Sequence, residues 1–94
     1  MKLGIVGSGG IVKDVLIALK PINTIEIQAL WVRPHSEAKG QTLAQENNIP
    51  QVYTDYEAFL GQADIDTAYI ALVNSAHYEY AKKALLAGHN VIVE

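Results

Sequence analysis

The sequence predicts an α/β protein in which a doubly wound parallel sheet, with strand order 3-2-1-4-5, lies between two layers of helices. Short apolar runs alternate with longer segments of helical spacing, and this alternation is typical of β-α-β units. Crossovers between parallel strands are almost always right-handed, so such units fold most simply into an open sheet. Ligands of these sheets bind beyond the carboxyl ends of the strands where the strand order reverses, here between the first and the fourth strand.

Five apolar runs are predicted as strands, and they occupy residues 2–6, 25–32, 51–53, 67–72 and 90–93. The first, fourth and fifth runs are apolar along almost their whole length, which is typical of strands that helices cover on both faces. The loops after the first and fourth strands, residues 7–10 and 73–77, are therefore the places where a ligand is expected.

The first two helices are predicted from apolar spacing and from the residues at their ends. The apolar residues of the first helix fall at positions i, i+3, i+4 and i+7, and they are Val12, Val15, Leu16 and Leu19. This spacing places them on one face, and Pro21 prevents the helix from continuing. Ser36 precedes a helix-favouring stretch over residues 37–47, which is the predicted second helix.

The last two helices are predicted mainly from capping residues. Thr54 and Glu57 have the spacing of a capping box for a short third helix that ends near Gly61. Ser75 is expected to cap the fourth helix, and Gly88 stands where helices often end on a left-handed residue. The residues expected to face the sheet from this helix are Ala81, Ala84 and Leu85.

Length and composition exclude several classes of function. The 94 residues are expected to form one domain, residues 1–94, and seven basic against ten acidic side chains leave a net charge of −3. Nucleic acid is not an expected partner, because binding to phosphates requires a basic patch. A membrane span is not expected either, since the longest apolar run is far shorter than about 20 residues. The absence of cysteine excludes thiolate metal sites and is typical of the reducing cytoplasm, where we expect this protein.

A glycine-rich turn joins the first predicted strand to the first predicted helix, which is the context that a dinucleotide-binding fingerprint requires. Its residues are Gly7, Ser8, Gly9, Gly10 and Ile11. Gly7 permits the tight turn, Gly9 lets the main chain approach a pyrophosphate, and the free N–H groups of the first helical turn supply donors. The third fingerprint position holds Val12 rather than glycine or alanine. The alternative is that these glycines only form a tight turn in another kind of α/β protein.

The end of the second strand indicates which dinucleotide is bound. An NAD-selective site usually carries an acidic side chain there, about 20 residues after the glycines, which accepts hydrogen bonds from the ribose hydroxyls. The sequence has Arg33 and Ser36 instead, with Lys39 close behind, and these side chains can hold the 2′-phosphate of NADP. NADP is therefore favoured over NAD. The alternative is that Arg33 is a solvated loop residue.

The second half of the chain combines several motifs in a fixed order. The fourth strand leads into Asn74 and His77, the following helix carries Ala-Leu-Leu-Ala-Gly at residues 84–88, and the last strand closes with Glu94. This pattern resembles the Gfo/Idh/MocA oxidoreductase family, named for glucose-fructose oxidoreductase and inositol dehydrogenase. In that family a Thr-Pro-Asn-x-x-His-like turn precedes a helix with Ala-Leu-x-Ala-Gly and a strand closing with Glu-Lys-Pro. With the glycine turn and residues 53–57, the resemblance spans the whole chain.

The resemblance implies an NAD(P)-binding Rossmann-like domain of an enzyme that transfers a hydride to or from a sugar, a polyol or a related small molecule. Asn74 and His77 match the family's residues beside the nicotinamide, and Glu94 matches the glutamate of Glu-Lys-Pro. Leu72 and Val73 stand where the family has Thr-Pro, so this turn lacks the rigidity of proline. From the residues alone, the alternatives are that Asn74 caps the helix and that His77 is an ordinary first-turn residue.

Members of this family carry a second, larger domain that binds substrate and supplies catalytic residues. The resemblance therefore implies that residues 1–94 bind the cofactor and, without that domain, do not turn over. The last strand is expected at the edge of the sheet, where exposed apolar residues favour a homo-oligomer. Two alternatives stay open, a non-catalytic module for nucleotide sensing or protein interaction, and a structural α/β domain without cofactor affinity.

Overall fold

Strands and helices alternate along the chain. The computed structural model describes residues 1–7, 9–72 and 74–93, and within residues 74–77 it describes the backbone alone. The strands are β1 (Lys2–Val6), β2 (Glu26–Trp31), β3 (Gln51–Tyr53), β4 (Thr67–Ile70) and β5 (Asn90–Val93). The helices are α1 (Gly10–Leu19), α2 (Glu37–Asn47), α3 (Tyr56–Gln62) and α4 (Asn74–Leu86), and a 3-10 helix, Pro34–Ser36, precedes α2.

The sheet has the predicted topology. All neighbouring strands are parallel, and their order is β3-β2-β1-β4-β5. The second and fourth strands are slightly shorter than predicted, since β2 ends at Trp31 and β4 at Ile70. Because the order reverses between β1 and β4, the loops that follow these two strands open onto the same edge of the sheet.

Successive residues of the central strands enter two separate cores, as expected when side chains alternate between the faces of a sheet. On one face, Leu3 and Ile5 of β1 pack with residues of α1 and α2. On the other face, Val6 of β1 and Trp31 of β2 pack with residues of α3 and α4. Val12, at the third fingerprint position, is fully buried in the first core, so it joins α1 to the sheet.

The start of α3 differs from the prediction. Its N-cap is Asp55, whose carboxylate accepts hydrogen bonds from the main-chain N–H groups of Glu57 at 3.0 Å and Ala58 at 3.4 Å. The predicted capping box on Thr54 is therefore wrong by one position. The helix begins at Tyr56, and only the residue directly before it has its side chain in reach of those N–H groups.

Helix α4 also corrects the prediction in two details. It begins at Asn74, so Ser75 lies within its first turn rather than in the capping position before it. Ala84 is fully buried against the sheet as expected, but Leu85 is 60% exposed because it lies about 100° further round the helix. Gly88 follows the helix with a φ of 90°, as predicted for a left-handed terminating residue.

Strand β5 forms one edge of the sheet, and its outer residues are poorly covered. Ile92 is 39% exposed and Val93 is 47% exposed, whereas Val91 packs against the second core. The prediction of helices on both faces of this strand is therefore wrong, and the prediction of an exposed apolar edge is confirmed. An apolar edge strand is a surface that favours pairing with another chain.

Candidate functional site

A cavity of about 320 Å³ opens beyond the carboxyl ends of the central strands, where the strand order reverses. It is lined by Gly7, Gly9, Gly10, Ile11, Arg33, Ser36, Lys39, Ala71 and Leu72. These residues come from three loops that are far apart in the sequence. The structure therefore brings the glycine turn, the end of β2 and the end of β4 together around one space.

Gly7 forms the tight turn that leaves β1. Its φ is 130°, which favours glycine, and a β-carbon there would lie 2.5 Å from the main-chain oxygen of Ala71. The N–H of Gly7 donates a 2.8 Å hydrogen bond to the carbonyl of Trp31, at the end of β2. The fold itself therefore requires glycine at this position, because a larger residue would be both strained and in collision.

Gly9 and Gly10 have no such structural reason to be glycine. Gly9 is the N-cap of α1 and has extended dihedral angles, with φ of −81° and ψ of −169°, which other residues can adopt. A β-carbon at either position would meet nothing within 4 Å. The space that a side chain would fill is instead part of the cavity.

The start of α1 presents a positive end to this cavity. Within the described part of the chain, no side chain caps α1, and its first turn contains no acidic residue. The first N–H groups of a helix have no partner within the helix and carry a partial positive charge. An anionic group in the cavity can therefore bind to the main chain at Gly10 and Ile11.

A second group of donors lines the cavity from the segment after β2. Arg33 is half-buried and precedes the 3-10 helix, in which the N–H of Ser36 donates a 2.8 Å hydrogen bond to the Arg33 carbonyl. Lys39 follows in the first turn of α2. Among residues 1–7, 9–72 and 74–93, neither Arg33 nor Lys39 forms an ion pair. Both cations are therefore available to an anion in the cavity.

The remaining predicted site residues are placed only in part. Leu72 is buried and lines the cavity beside Ala71. Asn74 and His77 belong to the first turn of α4, so they follow β4 closely, but their side chains lie outside the described residues. Ser8 and Glu94 also lie outside the described residues.

Sequence reasoning missed two residues that shape the cavity. Ala71 lines it directly, and its N–H donates a 3.0 Å hydrogen bond to the carbonyl of Val6. Gly40 packs α2 closely against β2, although it does not line the cavity itself. The signal for Gly40 was a glycine within a helix, where this residue is unfavourable unless packing requires it. No signal in the sequence marked Ala71.

Other kinds of site find no support in the part of the chain that the structure describes. None of its helices combines the length and the apolar character needed to cross a bilayer. The same residues contain no group of three or more histidine or carboxylate side chains arranged to hold a metal ion.

The whole chain, residues 1–94, matches the model of the Gfo/Idh/MocA family, which is described as an oxidoreductase family with an NAD-binding Rossmann fold. A D-xylose 1-dehydrogenase (NADP(+)) of Haloferax volcanii is 35% identical over 95 residues, covering 100% of this chain and 28% of that protein. A trans-1,2-dihydrobenzene-1,2-diol dehydrogenase of Xenopus laevis is 31% identical over 93 residues, covering 99% of this chain and 28% of that protein.

Solved structures give the same result for the fold. The scyllo-inositol dehydrogenase of Lactobacillus casei, with bound NAD(H) and scyllo-inositol, superposes with a TM-score of 0.88 at 26% identity. The match covers 99% of this chain and 27% of that one. The chain thus spans little more than a quarter of the length of these relatives.

Proposed function

The chain belongs to the Gfo/Idh/MocA oxidoreductase family and forms its NAD-binding domain, and on this basis we propose that it serves an enzyme of hydride transfer. The substrate is a sugar, a polyol or a related small molecule. The observation that carries this proposal is the cavity, where, among the residues that the structure describes, the start of α1 has no side-chain cap and the lining cations Arg33 and Lys39 form no ion pair. NADP has an anionic group for each of these two features, its pyrophosphate for the start of α1 and its 2′-phosphate for the two cations.

The pyrophosphate binds at the start of α1. The main chain at Gly9, Gly10 and Ile11 holds it, and the missing side chains at the two glycines leave room for its oxygens. Since the fold does not require glycine at these two positions, a ligand that approaches the main chain closely gives the physical reason for them. Ser8 joins this group as the second residue of the turn.

The adenosine end carries the preference for NADP over NAD. Arg33 can hold the 2′-phosphate with two parallel N–H donors, and Ser36 and Lys39 add a hydroxyl and a second charge. Among the described residues, no carboxylate lines the cavity to accept the ribose hydroxyls that an NAD-selective site would hold. A phosphate in the cavity is attracted by both Arg33 and Lys39, which form no ion pair among the described residues.

The nicotinamide end lies at the start of α4. We assign Leu72, Asn74, His77 and Glu94 to this end, with Leu72 as the apolar side chain beside the ring and Asn74 and His77 as polar groups that orient it. The nicotinamide, when bound, accepts or supplies the hydride. We assign no catalytic residue within residues 1–94, because none of the described side chains at the cavity is a general acid or base suited to an alcohol oxygen.

Titration of the chain with NADPH and with NADH by calorimetry tests this function. We expect NADPH to bind more tightly, and Arg33→Ala to weaken NADPH binding by about tenfold or more while changing NADH binding by less than about threefold. His35→Ala, two positions after Arg33, serves as a control because this side chain does not line the cavity. Absence of binding by either nucleotide would contradict the proposal.

A homo-oligomer is the second part of the proposal. The edge strand β5 exposes apolar side chains at Ile92 and Val93, and its outer main-chain groups have no neighbouring strand among the described residues. A second copy of the chain can pair with this edge and bury both side chains. The partner we propose is therefore an identical chain rather than a different protein.

A further inference from the structure

Gly40 occupies an unusual place for a glycine. It lies in the fourth position of α2 and is buried, with Leu43 and Ala44 of the same helix buried in the first core. Glycine is among the poorest helix formers, so its presence inside a helix indicates either a tolerated weakness or a close contact.

The contact is with Val32, directly after β2. A β-carbon at Gly40 would lie 2.9 Å from both Cγ atoms of Val32 and 3.5 Å from its Cβ. Val32 is fully buried in the first core and is branched at Cβ, so it cannot turn aside without disturbing its neighbours. A side chain at position 40 would therefore push α2 away from the sheet.

This contact bears directly on the cavity because of what stands next to each partner in the sequence. Arg33 follows Val32, and Lys39 precedes Gly40, and both cations line the cavity. A shift of α2 away from Val32 would therefore move Lys39 relative to Arg33. Ser36 lies between Arg33 and Lys39 in the sequence and is the last residue of the 3-10 helix that precedes α2.

We propose that Gly40 is a positioning residue for cofactor discrimination, because it lets α2 lie against Val32 and thereby holds Ser36 and Lys39 beside Arg33. The proposal rests on the proposed function, since it explains how the three side chains converge on the 2′-phosphate of NADP. Gly40 itself touches no part of the cofactor. Its effect is expected in the ratio of the dissociation constants for NADH and NADPH, which differ only by that phosphate.

Four variants of the chain test this role by calorimetric titration with both nucleotides. Gly40→Ala introduces the collision, and the double variant Val32→Ala/Gly40→Ala removes it, since the remaining 3.5 Å approach to Cβ is an ordinary contact. Val32→Ala alone shows the effect of the smaller side chain on its own. Gly61→Ala is the matched control, because Gly61 lies in α3 and a β-carbon there meets nothing within 4 Å.

We expect Gly40→Ala to lower the discrimination ratio by about fivefold or more, with NADH affinity within about twofold of wild type. The double variant should restore the ratio to within about twofold, and Gly61→Ala should leave it unchanged. If Gly40→Ala does not fold, Val32→Ile enlarges the same contact from the strand side and should lower the ratio in the same direction. A general loss of stability would not produce this pattern of loss and rescue.

The outcomes separate this role from the proposed function. A wild-type chain that binds neither nucleotide, or binds both equally, overturns the proposed cofactor preference and the role of Gly40 with it. A wild-type chain that prefers NADPH, together with a folded Gly40→Ala variant of unchanged ratio, overturns the role of Gly40 alone. Failure of the double variant to restore the ratio also overturns it, because the collision with Val32 would then not be the cause.

Discussion

The hydroxyl of Tyr56 donates a 2.9 Å hydrogen bond to the main-chain carbonyl of Tyr80, and so joins the start of α3 to the middle of α4. The two rings meet edge to face with centroids 4.7 Å apart, and Trp31 of β2 packs on both, at 5.3 Å and 5.0 Å. The three rings therefore connect β2, which ends two residues before Arg33, with the helix that begins at Asn74. These are the two ends of the proposed cofactor site.

Removal of the Tyr56 hydroxyl tests the strength of this connection. We expect Tyr56→Phe to lower the free energy of unfolding by about 1 kcal/mol, which is typical of a partly buried hydrogen bond between uncharged groups. Urea denaturation followed by circular dichroism measures the change. Tyr78→Phe is the matched control, since Tyr78 is 76% exposed and should show no loss. Equal losses of unfolding free energy in both variants would show that the loss in Tyr56→Phe does not come from this hydrogen bond.

The titration of Tyr56 predicts how stability changes at alkaline pH. Burial raises the pKa of this hydroxyl well above its ordinary value of 10.0, with smaller contributions from Tyr80 and Glu57. The unfolded chain therefore releases this proton at a lower pH than the folded chain, and stability falls as the pH rises above about 10. Tyr56→Phe should lose less stability than wild type between about pH 9 and pH 11 in urea denaturation. Parallel curves for the two proteins would contradict this.

Substitution of Gly9 tests whether this glycine is required for folding or for ligand binding. We expect Gly9→Val to change the free energy of unfolding by no more than about 1 kcal/mol, because the added side chain meets open space. The same variant should weaken NADPH binding by about a hundredfold or more, since the side chain fills the place of the pyrophosphate. Gly61→Val, also in open space, should bind normally. Unchanged NADPH affinity in a folded Gly9→Val variant would show that the pyrophosphate does not bind at this position.

The exposed edge of β5 predicts self-association. We expect the sedimentation coefficient of the chain to rise with concentration, and Ile92→Lys to shift the population toward the monomer, because a charge on an edge strand opposes pairing. Ile17→Lys is the control, since Ile17 is 71% exposed on α1, away from this edge. A concentration-independent monomer in the wild type would exclude a dimer through β5.

The strand order was predictable from the sequence because it depends on local patterns and on one general rule of handedness. Apolar runs marked β1, β3 and β5 at the bounds that the structure has. The finer errors have physical causes. Thr54 and Asp55 are both good capping residues, and only the exact start of α3 decides between them. Ala84 and Leu85 are both apolar, so the sequence does not decide which of them faces the sheet, and their separation of about 100° round α4 leaves Leu85 exposed.

Part of the cavity lining was also predictable from local sequence patterns. Gly7 and Arg33 directly follow predicted strands, Gly9 belongs to the same glycine turn as Gly7, and all three line the cavity. The contact of Gly40 with Val32 and the hydrogen bond from Tyr56 to Tyr80 were not predictable, because each joins residues of separate parts of the fold. The second of these spans 24 positions of sequence. Such contacts depend on packing in three dimensions rather than on periodicity.

Trp31 is the chain's single tryptophan, and its main-chain carbonyl and its ring lie in different parts of the molecule. Its carbonyl holds the N–H of Gly7 at the glycine turn, while its ring is buried among the aromatic side chains of the opposite core. The protein therefore contains an intrinsic fluorophore whose main chain is hydrogen-bonded to the glycine turn of the proposed cofactor site. Its emission overlaps the absorption of reduced nicotinamide, so occupancy can be followed by resonance energy transfer without any label.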